Sequence, residues 1–354
     1  MKQNLFFILI VSMVVLAACG GTNDKETKAN GDDTISIVMN NHAPATHHLA
    51  VNAFDPWKEY IEEETDGRIT IDLYHGGSLG DAASAHDDIV GGAYDLGIPP
   101  SDYTENTSLF PWTLSDLPFA FETPDITSEV VSEVMDEFAI DQIDENLVHL
   151  GTAGLDPSMI IAVDELDSAD DVSKLRIAAS SELVTDLTKQ WGATPVSLPY
   201  SETYEALQRK TADAVVYTGA GSIGMSYYEV APNYINDVHP TTGTLPLVIN
   251  KEVYDDIPDD LKDKFDNEYA PKLVEMMNDS YSKEMETFRE ELEEKGVNFI
   301  DLPEVDVEKL KEPGKTVWDN WIEMADKRGY DGQGIVDRTM ELLEEQSVEV
   351  DYLK

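Results

Sequence analysis

Polar and aromatic side chains stand where two strand-like runs end in the middle of the chain. The run from Thr194 to Leu198 is followed by Tyr200, and the run from Ala212 to Thr218 ends in Tyr217 and Thr218. A helix-compatible stretch that Ser201 is placed to cap separates the two runs. Open α/β sheets bind small molecules at the edge where such strands end. The spacing therefore predicts a small-molecule site.

The same plan occurs earlier in the chain. Ile35 to Met39 reads as a strand followed by a loop that contains His42, and Arg68 to Tyr74 alternates like a half-buried strand. A helix-compatible stretch from Asp81 to Val90 then leads to the strand-like AYDLGI, which the pair Pro99-Pro100 breaks at its carboxyl end. Two α/β units of one design predict two similar lobes, with His42 at a sheet edge.

Two other chemistries are considered and disfavoured. The segment Gly219 to Gly224 fits the dinucleotide pattern G-x-G-x-x-G, but Pro232 interrupts the helical run that should follow it. Ser222 has Ala220 where the nucleophile pattern of serine hydrolases requires glycine. These departures argue against an oxidoreductase and against a hydrolase, so we expect no catalytic residues and no cofactor.

Clustered histidines raise the question of a metal site. His42, His47 and His48 lie close together in the sequence, and His86 precedes an aspartate. Neighbouring residues on a helix point in different directions, and the spacing typical of zinc proteases is absent. We expect no metal, and we expect His42 to contact a ligand instead.

Length and charge bound the possible partners. The chain has 354 residues, which suits two α/β domains, and its 24 Lys and Arg stand against 71 Asp and Glu for a formal net charge of −47. Nucleic acids and anionic lipid surfaces attract basic patches, so neither is an expected partner of the globular part. Such self-repulsion is relieved by ionic screening, which predicts a salty habitat.

The amino terminus has the features of a lipoprotein leader. Residues 1–18 combine a positive start at Lys2 with an apolar core and end in Leu-Ala-Ala before Cys19, the only cysteine of the chain. This pattern resembles a bacterial lipobox, which implies cleavage before Cys19 and lipidation there. Residues 19–33 are polar and read as a flexible tether. We expect a protein anchored by lipid on the extracytoplasmic face of the cell membrane.

Seven segments follow one another in a recognisable order. They are HAPATHH, TDGRITIDLYHGGSLGD, GGAYDLGI, LRIAAS, WGATPVSLPYSETYEALQ, YYEV and LVINKEVYDDIPDDLK. This series resembles the solute receptors of TRAP (tripartite ATP-independent) transporters, the DctP-like family. The segment around GATPVSLPYSETYEALQ is highly characteristic, and the resemblance covers nearly everything after Thr34.

The resemblance implies a fold and a function. The fold is a two-lobed α/β periplasmic-binding-protein (Venus-flytrap) fold, with lobe I formed by residues 34–153 and about 243–282, and lobe II by 154–242 and about 283–354. Asp259 to Lys295 would supply a long helix linking the lobes. The implied function is capture of a small organic solute by lobe closure and delivery to a TRAP permease, by a receptor expected to be monomeric. A signalling receptor and an extracellular enzyme are the alternatives.

Two departures from the family pattern concern the solute. Family members usually read K-I-R-V, whose arginine clamps a carboxylate; matching K-x-R here selects Arg176, whereas counting from Asp171 without a gap selects Ala178. Tyr217 occupies the position of the family's carboxylate-binding asparagine. Either Tyr217 makes the pocket more aromatic or it only packs at a lobe surface.

We expect an organic acid with an apolar or aromatic portion. The expected contacts are Asn40, His42, Asp81, Pro100, Ser101, Arg176, Tyr200, Tyr217, Thr218 and His239.

Overall fold

The computed structural model describes residues 34–348 and 350. The predicted leader, Cys19 and the tether lie outside this part. Within the described residues, eleven strands form two sheets. The strands are β1 (Ile35–Asn40), β2 (Ile69–Tyr74), β3 (Leu96–Gly97), β4 (Leu147–Gly154), β5 (Ser158–Ala162), β6 (Arg176–Ala179), β7 (Thr194–Ser197), β8 (Ala214–Thr218), β9 (Asn233–Ile235), β10 (Thr244–Asn250) and β11 (Asn298–Ile300).

Each sheet is mixed. The first has the order β2-β1-β3-β10-β4, with β1 parallel to β2 and β3, and β10 antiparallel to both of its neighbours. The second has the order β11-β9-β5-β8-β6-β7, with β5 antiparallel to β8 and β9. β6 runs parallel to β7 and β8, and β11 parallel to β9. Each sheet with its helices is one lobe, so the predicted two-lobed α/β fold is confirmed.

Helices cover both sheets. The α-helices are α1 (Asp55–Glu64), α2 (Ala85–Val90), α3 (Pro124–Phe138), α4 (Ala169–Val172), α5 (Glu182–Gln190), α6 (Tyr200–Gln208), α7 (Gly219–Gly224), α8 (Lys251–Asp255), α9 (Asp259–Lys264), α10 (Ala270–Glu294), α11 (Glu304–Lys311), α12 (Gly314–Arg328) and α13 (Gly332–Glu345). Short 3₁₀ segments include Ser101–Tyr103 and Phe110–Asp116. Within the described residues, no helix is both long and apolar enough to cross a bilayer.

Local sequence explains where several elements begin. The Ser181 side chain accepts a hydrogen bond from the backbone N–H of Val184 and so starts α5. The expected cap at Ser201 is wrong, because Pro199 precedes the first turn of α6 and Ser201 lies inside the helix. The helix expected from Asp81 starts only at Ala85, since the Asp81 carboxylate accepts backbone N–H groups of the preceding turn.

The part of the chain that the structure describes has three crossings between the lobes. Residues 155–157 join β4 to β5, residues 236–243 join β9 to β10, and α10 forms the third crossing. α10 packs against β4 of the first sheet and against α7 beside the second. It continues α9 through a π-helical segment, Phe265–Tyr269, so the predicted long linking helix is confirmed.

The carboxyl-terminal helices contact both lobes. α13 packs on α3, which covers the first sheet, whereas α12 packs on α5 of the second lobe. Trp318 and Trp321 of α12 are fully buried, and the indole N–H groups donate to the backbone oxygen of Pro118 and to the hydroxyl of Thr113. The assignment of residues 283–354 to lobe II stays a prediction.

Candidate functional site

A cavity of about 330 Å³ lies between the two lobes, and we call it the interlobe cavity. Loops that follow β1, β2 and β3 line one side, and residues that follow β7 and end β8 line the other. The first two crossings contribute Leu155 and residues 241–243, β10 contributes its first two residues, and α10 contributes Tyr281. The carboxyl ends of the parallel strands of both sheets therefore meet at one place, as the sequence predicts.

The first lobe supplies a polar wall. His42, in the loop after β1, and Asp81, after β2, line the cavity beside Pro100 and Ser101. The Ser101 hydroxyl donates to the Asp116 carboxylate over 3.1 Å and accepts the Thr244 N–H over 3.0 Å. These bonds fix the Ser101 side chain at the floor of the cavity.

The second lobe supplies an aromatic wall. The rings of Tyr200 and Tyr217 meet edge to face with centroids 4.7 Å apart, and Tyr103 of the first lobe meets Tyr200 in the same way at 5.5 Å. Tyr227 packs behind Tyr217 at 5.2 Å. Tyr103, Tyr200 and Tyr217 line the cavity, and we call them the tyrosine cluster. Tyr217 is thus more than a side chain packed at a lobe surface.

Hydrogen bonds join the lobes across the cavity. The Asp102 carboxylate accepts the hydroxyl of Tyr200, and Ser180 Oγ lies 2.8 Å from the same carboxylate oxygen. Tyr103 Oη accepts the Tyr200 backbone N–H over 3.1 Å. Asp102 and Tyr103 belong to the first lobe, and Ser180 and Tyr200 to the second. The structure therefore shows the lobes closed on one another.

The glycine-rich segment serves packing. A Cβ at Gly219 would lie 2.4 Å from the Phe288 ring of α10, and one at Gly224 would lie 2.8 Å from the His47 ring. α7 can approach α10 and the first lobe only without these side chains. The Thr218 hydroxyl caps α7 by accepting the Gly221 N–H. Close packing therefore accounts for the G-x-G-x-x-G pattern without a nucleotide.

The titratable groups of the cavity are acidic or neutral. Burial lowers the pKa of His42 to about 4 and that of His47 to about 4, so both rings are uncharged at neutral pH. Burial raises the pKa of Asp102, and burial together with the Asp102 charge raises the pKa of Asp116 well above its usual range. Among the described residues that line the cavity, none is lysine or arginine.

The structure brings most of the predicted contacts together, and three lie elsewhere. The lining set contains His42, Asp81, Pro100, Ser101, Tyr200, Tyr217 and Thr218. Asn40 is buried under the loop after β2, where its amide donates to Gly80 O. His239 lines a second cavity, outside the interlobe cavity, and its Nδ1 lies 3.1 Å from Ser158 O.

The expectation that Arg176 reaches the cleft is wrong. Arg176 begins β6 at the end opposite the cavity, its side chain is exposed, and its guanidinium donates two hydrogen bonds to Asp213, of 2.8 and 2.7 Å. This geometry agrees with the ungapped count, in which Ala178 holds the clamp position. Ala178 is buried and offers no charge.

Several lining residues escaped the sequence reasoning. Asp102, Tyr103 and Tyr281 line the cavity, as does Asp116. The sequence does single out Asp116, because it is the one acidic residue in the aromatic run from Leu109 to Phe121. Burying a carboxylate in such an apolar run is costly unless it is hydrogen-bonded or paired with a charge, so Asp116 is a candidate for a specific role. Within the described residues, no group of acidic, histidine or cysteine side chains has the arrangement of a metal site.

Comparison with known proteins agrees with this architecture. Residues 40–324 match the model of the bacterial extracellular solute-binding protein family 7, DctP. A solute-binding protein of Sulfitobacter is 26% identical over 61% of this chain and 66% of its own length. The C4-dicarboxylate-binding periplasmic protein DctP of Vibrio cholerae is 25% identical over 67% of this chain and 72% of its own length.

Solved structures share the fold. A TRAP solute-binding protein of Rhodoferax ferrireducens, in complex with copurified benzoate, superposes with a TM-score of 0.81 at 20% identity, covering 89% of this chain and 99% of that one. A Bordetella bronchiseptica TRAP protein with bound mandelate gives 0.79 at 20% identity, covering 88% and 99%. The predicted resemblance to the solute receptors of the DctP-like family is confirmed by the family match. The chain belongs to the bacterial extracellular solute-binding protein family 7.

Proposed function

We propose that this chain captures a small organic solute with an apolar or aromatic portion in the interlobe cavity and hands it to a TRAP permease. The observation that carries the proposal is the tyrosine cluster of Tyr103, Tyr200 and Tyr217, which encloses the cavity from both lobes. Rings that come together only on closure bury apolar surface of the solute, at about 25 cal/mol per Å². A solute that binds the closed state better than the open one drives closure.

The acid expected from the sequence has support from the fold neighbours. Benzoate and mandelate occupy the Rhodoferax and Bordetella proteins, and both are aromatic carboxylates. In this chain, however, the arginine on which the expectation relied is paired with Asp213 outside the cavity. The described lining residues thus support the aromatic portion of the solute, and none of them provides a guanidinium for a carboxylate.

We infer that the receptor is held at the extracytoplasmic face of the membrane by a lipid on Cys19, acts as a monomer, and works beside permease subunits. The lipobox-like sequence before Cys19 supports the anchor, and the family supports the transport role. A signalling receptor would have the same fold. A permease gene next to this one would favour transport.

The test is a thermal-shift screen of wild-type protein in molar salt, because a ligand that binds only the folded state raises its stability. The panel holds aromatic and aliphatic organic acids, amines and neutral solutes. We expect aromatic members to raise the melting temperature and the Tyr217→Asn variant to lose most of that shift.

A matched control replaces a tyrosine outside the cavity. Tyr228 is half-buried beside Lys295 and does not line the cavity, so Tyr228→Asn should keep the shift. Binding of succinate or malate that Tyr217→Asn leaves unchanged would contradict an aromatic-solute receptor.

A further inference from the structure

Asp116 lines the interlobe cavity, and one of its carboxylate oxygens has no hydrogen-bond partner among the described residues. Its side chain is 3% exposed, and Oδ1 accepts the Ser101 hydroxyl, whereas Oδ2 has no hydrogen-bond partner within the described residues. A Cβ at Gly243 would lie 3.3 Å from Oδ1, and the φ of +143° there favours glycine. The backbone of the second crossing, residues 236–243, thus approaches Asp116 closely at Oδ1.

The charges around the cavity disfavour an anion. Asp81, Asp102 and Asp116 are the acidic side chains of the lining, and no described lining residue is lysine or arginine. The rings of His42 and His47 are neutral at neutral pH, because burial lowers each pKa to about 4. An ionised carboxylate would lose its hydration here without meeting a counterion, which is costly.

The aromatic lining suits a cation. Tyr103, Tyr200, Tyr217 and Tyr281 all line the cavity, and the first three form edge-to-face contacts. Ammonium groups bind over the faces of aromatic rings, and such contacts strengthen when water is excluded. A carboxylate with one free oxygen beside several tyrosines is a combination that recognises ammonium ligands.

We propose that the interlobe cavity binds an organic ammonium cation, a protonated amine or quaternary ammonium on an apolar or aromatic body, with Asp116 as its counterion. This inference rests on the proposed function and names the class of its solute. The apolar body contacts the tyrosine cluster, and the ammonium group approaches Asp116 Oδ2.

Proton exchange follows from this arrangement. Burial raises the pKa of Asp116, and the neighbouring carboxylates Asp102 and Glu105 raise it further, while the hydrogen bond from Ser101 lowers it. An empty cavity therefore favours the protonated carboxyl, and a bound cation favours the ionised one. Because a bound cation favours ionised Asp116, affinity for a cation rises with pH, whereas an anion that needs protonated Asp116 binds more weakly as pH rises.

The experiment compares three probes of similar shape by titration calorimetry: benzylammonium, benzyl alcohol and benzoate. We expect wild-type protein to bind benzylammonium at least tenfold more tightly than benzyl alcohol and benzoate at pH 8, and its affinity for benzylammonium to rise with pH when the titration is repeated at several pH values. Asp116→Asn should abolish the preference for benzylammonium over benzyl alcohol. Asp306→Asn, at a buried aspartate in α11 outside the cavity, should retain it.

Distinct outcomes separate this inference from the receptor function. Binding of benzoate that weakens as pH rises would overturn the cation proposal and leave an organic-acid receptor. A lack of benzylammonium binding would overturn it also, while the thermal-shift screen with Tyr217→Asn decides the receptor function independently. The wild-type pH profile requires no variant, so the proposal stays testable if Asp116→Asn does not fold.

Discussion

Ser180 Oγ lies 2.8 Å from Asp102 Oδ2, and this contact joins the second lobe to the first. Tyr200 donates its hydroxyl to the same carboxylate oxygen. The Ser180 hydroxyl also lies 2.9 Å from the Tyr200 hydroxyl oxygen, so its single proton can be donated either to Asp102 or to Tyr200. The bonds to Asp102 exist only when the lobes are closed, and they therefore contribute to the closing equilibrium without any solute.

We expect Tyr200→Phe to shift the solute-free protein towards an open form. The substitution removes the hydroxyl that bridges to Asp102 while keeping the ring that packs on Tyr217. Loss of one hydrogen bond costs about 1 kcal/mol, which changes the closed-to-open ratio about fivefold. Small-angle X-ray scattering should show a larger radius of gyration.

The control for this prediction is Tyr204→Phe. Tyr204 lies on the same helix, α6, and donates to Glu229 within the second lobe over 3.0 Å. Its loss should leave the scattering curve unchanged. Equal radii of gyration for wild type and Tyr200→Phe would show that the bond to Asp102 does not influence closure.

Asp156 should make stability depend on pH. Burial raises its pKa to about 7, although Oδ2 accepts the Ala220 N–H over 3.0 Å. A group with a raised pKa binds its proton more tightly in the folded state. The contribution of Asp156 to the free energy of unfolding is therefore fully present below about pH 4 and is lost as pH rises to about 7.

The neutral variant Asp156→Asn should remove this dependence. At pH 8 it should be more stable than wild type, by at most about 4 kcal/mol, because a tenfold change in proton affinity is worth about 1.4 kcal/mol. At pH 4 the two should melt alike. The lowered pKa values of His42 and His149 act in the opposite direction in both proteins, so they cancel in the difference. A difference that does not grow between pH 4 and 7 would contradict the buried-carboxylate account.

Salt should stabilise the fold. The formal net charge of −47 produces self-repulsion that dissolved ions screen. The Debye length, over which charges still interact, falls from about 30 Å at 0.01 M salt to about 3 Å at 1 M. We expect the melting temperature to fall when sodium chloride is reduced from molar to millimolar concentration. Mild acid should restore part of the loss by neutralising carboxylates. An unchanged melting temperature would refute adaptation to salt.

Replacing Cys19 with serine should release the protein from membranes. The substitution removes the thiol that the lipobox-like pattern marks for acylation, while the binding residues of the globular part stay unchanged. Cell fractionation should find Cys19→Ser in the soluble fraction with wild-type ligand affinity. A variant that still sediments with membranes after a high-salt wash would contradict lipid anchoring through Cys19.

Local sequence patterns determined which segments form strands and roughly where the site lies. Alternation in Arg68 to Tyr74 predicts β2, because side chains of a strand point to opposite faces and one face is buried. The segment around GATPVSLPYSETYEALQ is characteristic of the family, Tyr200 follows β7, and Tyr217 lies at the end of β8. Position at a strand end depends on neighbouring residues, so it can be predicted from the sequence.

Tertiary structure decided which side chains face one another. Arg176 is paired with Asp213, 37 positions away, because β6 lies beside β8 and the start of β6 points away from the cleft. Asp116 reaches the cavity through the packing of its 3₁₀ segment beside the second crossing, and Asp102 meets Ser180 only through lobe closure. These contacts join residues that are far apart in the sequence. They depend on how the strands and the two lobes are arranged in space, and local sequence patterns do not predict that arrangement.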